Sequence, residues 1–193
     1  HSFLIPISFS IYLTIEKLNY GGRMFSSKTY IDRRNELKKI MKNGILFFPG
    51  ALETPMNYRA NTYKFRQDST FLYYFGIDAP DLAAVIDIDN NREIIFGNDR
   101  EIDDVVWMGP EKSIVERASE VGVSETMPMT KLVSSLGSHI KAKEIIHHLP
   151  QHQAQILIEF EKWLGIHPTM VNNKSSKEFI FASTAATRLH DSG

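Results

Sequence analysis

Residues Tyr63-Lys64-Phe65-Arg66-Gln67-Asp68-Ser69-Thr70-Phe71-Leu72-Tyr73-Tyr74-Phe75-Gly76 crowd aromatic rings around an adjacent cation, amide, carboxylate and hydroxyl. Asp68 or Ser69 can accept hydrogen bonds from the free N–H groups of a first helical turn. Gly76 can end that helix, because glycine takes the left-handed conformation without steric cost. Rings at this density bury a large apolar area, so the stretch predicts a short helix that anchors a core. Arg66, Gln67 and Asp68 then fall where that core meets something polar. An arginine buried there must be paired and hydrogen-bonded, because an uncompensated buried charge is strongly destabilising. Two readings stay open at this point. One is a structural polar knot that holds the helix start, and the other is a polar floor turned toward a ligand or partner.

Upstream of this stretch, a helix is predicted from Ser26 or Ser27, with Tyr30, Arg34, Leu37, Ile40 and Met41 near helical spacing and Asn43-Gly44 as the stop. Ile45-Leu46-Phe47-Phe48 before Pro49-Gly50 reads as a buried strand. Residues 50–64, rich in Gly, Pro, Asn and Thr, read as a loop. Downstream, two β-rich runs, Leu82–Ile88 and Glu93–Phe96, flank Asp89-Asn90-Asn91-Arg92 and predict a hairpin. Helices are expected over Glu111–Val121, over Met129–Leu136 with a stop at Gly137, and over Gln151–Leu164 with a stop at Gly165. A strand is expected over Glu144–Leu149. Strands alternating with helices, plus an antiparallel hairpin, indicate an α/β layer with a mixed sheet.

Composition excludes several function classes. With 193 residues the chain is long enough for one substantial core, and its 42% hydrophobic and 23% charged content is that of an ordinary globular protein. A formal net charge of −1 supplies no broad field for nucleic acid or an anionic membrane. The absence of cysteine rules out disulfides, thiolate metal sites and thiol catalysis, and it fits a cytoplasmic protein. There is no P-loop, Gly-rich dinucleotide turn, nucleophile elbow or His-Glu-x-x-His. Two clusters invite a metal hypothesis. Asp99, Glu101, Asp103 and Asp104 lack the glycine and terminal glutamate of a calcium loop, and acidic residues in a helix's first turn explain them more simply. His147, His148 and His152 include adjacent strand positions that point to opposite faces, so they do not converge on one ion.

Phe65-Arg66-Gln67-Asp68-Ser69-Thr70-Phe71-Leu72-Tyr73-Tyr74-Phe75-Gly76 resembles the hallmark of the N-terminal domain of Xaa-Pro aminopeptidases (aminopeptidase P). There, an aromatic-Arg-Gln-Asp/Asn-Ser segment leads into an aromatic-rich helix and a glycine. A second block, Asp103-Asp104-Val105-Val106-Trp107-Met108-Gly109, is similar to that family's acidic-aliphatic-Trp-x-Gly segment. The intervening Asp81–Phe96 matches the family hairpin in length and pattern, and the likeness runs from about Tyr30 to about Glu178. The resemblance implies an α/β fold of the creatinase/prolidase N-terminal type, a mixed sheet of about six strands flanked by helices.

The same resemblance implies a division of labour. In full-length enzymes of this type, two divalent ions, usually Mn²⁺, belong to a C-terminal pita-bread domain where carboxylates and a histidine hold them. The N-terminal domain packs on that domain, narrows access to the active site and builds a dimer or tetramer. Trp107 is implied to lie nearest the substrate, a peptide with proline at its second position, or else to pack at an interface. Arg66, Gln67 and Asp68 are implied to form a polar knot facing the catalytic domain. Residues 24–178 read as the domain itself. Residues 179–193 read as a truncated or aberrant linker, because Phe181–Thr187 departs from the family and His190 stands where a basic, Ser-containing helix start is expected. With no catalytic domain following, the chain is expected to bind no metal and to hydrolyse no peptide by itself. The alternative from another class is a stand-alone binding or oligomerisation module.

Residues 1–23 begin with His1 and alternate apolar side chains from Phe3 to Ile15, a strand-like period. They lack the cationic start and cleavage site of a signal peptide, and Pro6, Ser8 and Ser10 interrupt them too often for a membrane helix. They read as an extension outside the domain. Upstream sequence, a genuine strand and a signal remnant are the open explanations.

Overall fold

The computed structural model describes residues 25–57, 61–99 and 112–190. Helix α1 (Ser27–Met41) starts at Ser26, whose hydroxyl accepts from the Thr29 N–H, and Lys42 ends it at a positive φ of 71°. Strand β1 (Ile45–Pro49) follows and is buried along its whole length. It lies antiparallel to β2 (Ala83–Asp87), which pairs in turn with β3 (Arg92–Phe96) as the expected hairpin. The buried Asp87 carboxylate closes the hairpin turn by accepting from the Asn90 backbone N–H at 3.0 Å and its amide at 2.8 Å. Both outer strands are short and parallel to their neighbours: β4 (Glu125–Met127) beside β3, and β5 (Ile146–His148) beside β1.

The sheet order is β4-β3-β2-β1-β5, a mixed sheet as expected, with five strands among the described residues where about six were implied. Its alternating side chains build two cores. Leu46, Phe48, Ala84, Ile86 and Ile95 face one way. Against them pack α1, α2 (Ser69–Phe75), α3 (Ile114–Glu120) and α6 (Lys177–His190), through Leu37, Phe71, Ala118 and Phe179 among others. Ile45, Phe47, Val85, Ile94 and Phe96 face the other way, under α4 (Leu132–Lys141) and α5 (Ala154–Leu164), which contribute Leu136, Phe160 and Trp163. The continuous apolar run Ile45–Phe48 therefore feeds both layers, as a strand covered on both faces must.

Two helices depart from the expected bounds, and a third had no helical expectation. The helix anticipated from Glu111 begins at Ile114, because Ser113 and Glu116 form a capping box there. Gly137 does not stop α4, which runs on to Lys141. A helical glycine costs about 1 kcal/mol relative to alanine, and the complete burial of Leu132 and Leu136 outweighs it. The stretch from Lys177 onward forms α6, whose Phe179, Ala182 and Ala186 are buried. β4 had no sequence reading at all. The helix over Gln151–Leu164 is confirmed from Ala154, and Gly165 ends it at φ 66°.

Candidate functional site

The aromatic stretch around Gln67 folds as its chemistry dictates. Asp68 caps α2, one carboxylate oxygen accepting from the Thr70 and Phe71 N–H groups at 2.9 Å each. Gly76 ends the helix at φ 63°, and a Cβ there would come within 2.2 Å of the Tyr30 ring. Only glycine serves both needs.

Arg66, Gln67 and Asp68 are neighbours in sequence with three different fates. Gln67 is buried, and its amide ties three chain segments together. Its oxygen accepts from the Ala51 N–H at 2.5 Å and from the Asp68 N–H at 2.8 Å, while its nitrogen donates to the Ala79 carbonyl at 2.6 Å. Gly50 makes room for this: a Cβ there would lie 3.1 Å from the Gln67 amide nitrogen and 2.7 Å from the Leu82 carbonyl. Asp68 is exposed beyond its capping role, and Arg66 is exposed. The premise of a buried Arg66 that demands pairing therefore does not hold. The inward part of the knot is the glutamine, and the surface it leaves carries Arg66 and Asp68.

The buried guanidinium belongs instead to Arg34, which sequence reading treated only as a helical-spacing residue. Its Nε donates to Glu93 at 2.7 Å, one terminal nitrogen donates to the Tyr74 carbonyl at 2.9 Å, and the other to the Val121 carbonyl at 3.0 Å. Tyr74 lies in the last turn of α2 and Val121 at the end of α3, so one cation from α1 meets the negative ends of two helices and a strand carboxylate. Burial lowers the Arg34 pKa and Glu93 opposes it. Lys38 donates to the other Glu93 oxygen at 2.8 Å. Beside it, Arg33 lies 4.0 Å over the Tyr73 ring and 4.6 Å over Phe25, and donates to the Tyr73 carbonyl at 2.9 Å. A signal was available in sequence: two adjacent arginines on the core-facing side of α1, the second of them four residues before Lys38.

Trp107 lies outside the described residues, as do Glu101, Asp103 and Asp104. Asp99 accepts from the Ile114 N–H at 2.6 Å, so this member of the acidic run serves the start of α3. His147 and His148 do face opposite sides of the sheet. His147 Nδ1 meets the Ser176 hydroxyl at 2.8 Å, whereas His148 packs edge-on against Phe160 with ring centroids 4.9 Å apart. Among the described residues, no three His, Asp or Glu side chains group so that they could hold a metal ion.

Comparison with known proteins shows the family to which the chain belongs. The family model described as "Aminopeptidase P, N-terminal domain" matches residues 30–147. The "Probable Xaa-Pro aminopeptidase pepP" of Metarhizium robertsii is 30% identical over 120 residues, 62% of this chain and 26% of that protein. The "Intermediate cleaving peptidase 55, mitochondrial" of Arabidopsis thaliana is 29% identical over 127 residues, 65% of this chain and 25% of that protein. Among solved structures, an Escherichia coli aminopeptidase P superposes with a TM-score of 0.62 at 20% identity, over 73% of this chain and 33% of its own. The Pseudomonas aeruginosa aminopeptidase PepP gives 0.63 at 17% identity, over 79% and 35%. At these identities the structures speak to fold alone. The chain spans about a quarter of the length of the curated relatives it matches and about a third of the solved chains. With its family hallmark at residues 65–76 folded as a capped helix on a mixed sheet, the chain belongs to the aminopeptidase P N-terminal domain family.

Proposed function

We propose that this chain serves as the N-terminal domain of an Xaa-Pro aminopeptidase that removes the residue before a proline. In this reading it docks on a catalytic domain, narrows access to the active site and contributes to a homodimer or homotetramer, without peptide hydrolysis of its own. The observation that carries it is the family match over residues 30–147, set on a fold shared with about a third of two aminopeptidase P structures.

Two Mn²⁺ ions in the catalytic domain would stabilise both the attacking and the departing charge. The described residues here do not fit such a pair. What the chain itself supplies is a face: Arg66 and the outer Asp68 oxygen, held in place by Gln67, would meet the catalytic domain. Trp107 would lie nearest the substrate. Nucleic acid and membrane form no part of this reading. Among the described residues, no helix is long and apolar enough to cross a membrane. A cytoplasmic location is proposed from the cysteine-free composition.

The flanking reading frame tests the proposal. The expected result is an open frame encoding an Asp, Asp, His, Glu, Glu ligand set, whose full product cleaves Xaa-Pro peptides with Mn²⁺ while the 193-residue chain does not. In that product, Trp107→Ala should lower kcat/KM for Xaa-Pro peptides. A stop with no such domain encoded nearby would overturn the peptidase reading and leave a binding or oligomerisation module.

A further inference from the structure

The edge strand β5 carries two adjacent histidines, and each fastens one face of the sheet. His148 is 2% exposed, and its Nε2 has no hydrogen-bond partner, while its Nδ1 lies 3.3 Å from the Leu149 carbonyl. A neutral ring fits this arrangement: Nδ1 keeps the proton and Nε2 sits bare in an apolar setting against Phe160. A second proton would have to enter there with no acceptor to receive it. On the opposite face, His147 Nδ1 meets the hydroxyl of Ser176, the residue at the start of α6. That hydroxyl also accepts from the Phe179 N–H and donates to Glu178 at 3.0 Å. The Ser176 N–H donates to the His148 carbonyl at 3.0 Å. Both histidines are thus bonded to the one residue that starts α6.

We propose that β5 is a proton-operated latch: protonation of His148 frees the edge strand from Phe160 and β1 and, through Ser176, loosens the first turn of α6. Among the described residues, the groups that face the pair are few. From β1, the register partners are Leu46 and Phe47, which do not titrate. From α5 it is Phe160. From α6 it is Glu178, whose charge favours the cationic form of His147 without outweighing burial. From the turn before β1, Gly44 packs on the His147 ring, its N–H held by Asp89. The charge that reaches His148 is His147 itself, and it opposes a second cation. The opening is local because β5 pairs with β1 at three positions and lies at the sheet edge, whereas β1 pairs with β2 at five.

Amide hydrogen exchange on the whole chain, read by NMR with a titration of the histidine rings between about pH 7 and about pH 5, tests the latch. After correction for intrinsic exchange, opening of β5 and of the Phe179 and Ile180 amides should rise by up to about tenfold per pH unit. The Val85 and Ile94 amides should stay protected. His148→Phe should abolish the rise. Ser176→Ala should loosen α6 at neutral pH while β5 keeps its response. Should His148→Phe fail to fold, the ring titration decides. A His148 that protonates without β5 opening overturns the latch. So does protection lost at one acid midpoint in β5, β2 and β3 together.

Discussion

Gln67 and Arg34 show how much of this fold hangs on single polar side chains that serve backbone rather than ligand. Truncating Gln67 to Ala leaves the Ala51 N–H and Ala79 carbonyl unpaired, at about 1–3 kcal/mol for each buried orphan. Asp68→Ala removes only the α2 cap, about 1 kcal/mol, and Asp68→Asn should restore most of it, since its carbonyl oxygen still accepts. Urea midpoints should fall lowest for Gln67→Ala, then for Asp68→Ala, with Asp68→Asn nearest the wild type. Arg34→Met leaves Glu93 still paired with Lys38 but takes the donor from two helix-end carbonyls, so a loss of about 1–3 kcal/mol for each is expected. Arg34→Lys should recover little, because one ammonium cannot span Glu93, Tyr74 and Val121 at once. The adjacent arginines of α1 stand in the sequence, but the partners of Arg34 were hidden there for a physical reason. Besides Glu93, its acceptors are backbone carbonyls 40 and 87 positions away, and backbone atoms leave no trace in residue identity. Gln67 sat inside the legible motif, yet its inward aim and the outward aim of Arg66 depend on the loops at Ala51 and Ala79.

At the scale of elements, two glycines make opposite predictions. Gly137 lies within α4, and a methyl group added there would meet nothing within 4 Å, so Gly137→Ala should raise stability by about 0.5–1 kcal/mol. Gly76→Ala should lower it by more than that gain, because φ is positive and the Tyr30 ring fills the space. Thermal denaturation of the two variants reads both signs. Elements with local signals were legible: α2 through Asp68 and Gly76, the hairpin through Asp89-Asn90-Asn91, α5 through Gly165. Elements defined by distant partners were not. β4 is three residues long and exists because it lies beside β3. α4 runs past its glycine to Lys141, and the chain turns at Lys143, which takes a positive φ of 59°.

For the whole molecule, acid should be the sensitive direction. Burial lowers the pKa of His147 and His148 in the folded state, so the unfolded chain binds more protons below its ordinary histidine value. Stability is therefore full above about pH 6.5 and falls as pH drops through it toward the folded-state values. Urea unfolding of the wild-type chain should show that fall, and His148→Phe should flatten part of it. A different consequence follows from the way α6 comes home. The Tyr73 hydroxyl donates to the Ala186 carbonyl at 3.1 Å, and the same ring stacks on Arg33, which stacks on Phe25. The two flanks of the domain thus meet across one arginine. A short Gly/Ser bridge between them, with new ends cut in the Ile88–Asn91 turn, should give a circular permutant with the same sheet, recognisable by an unchanged amide fingerprint away from the cut.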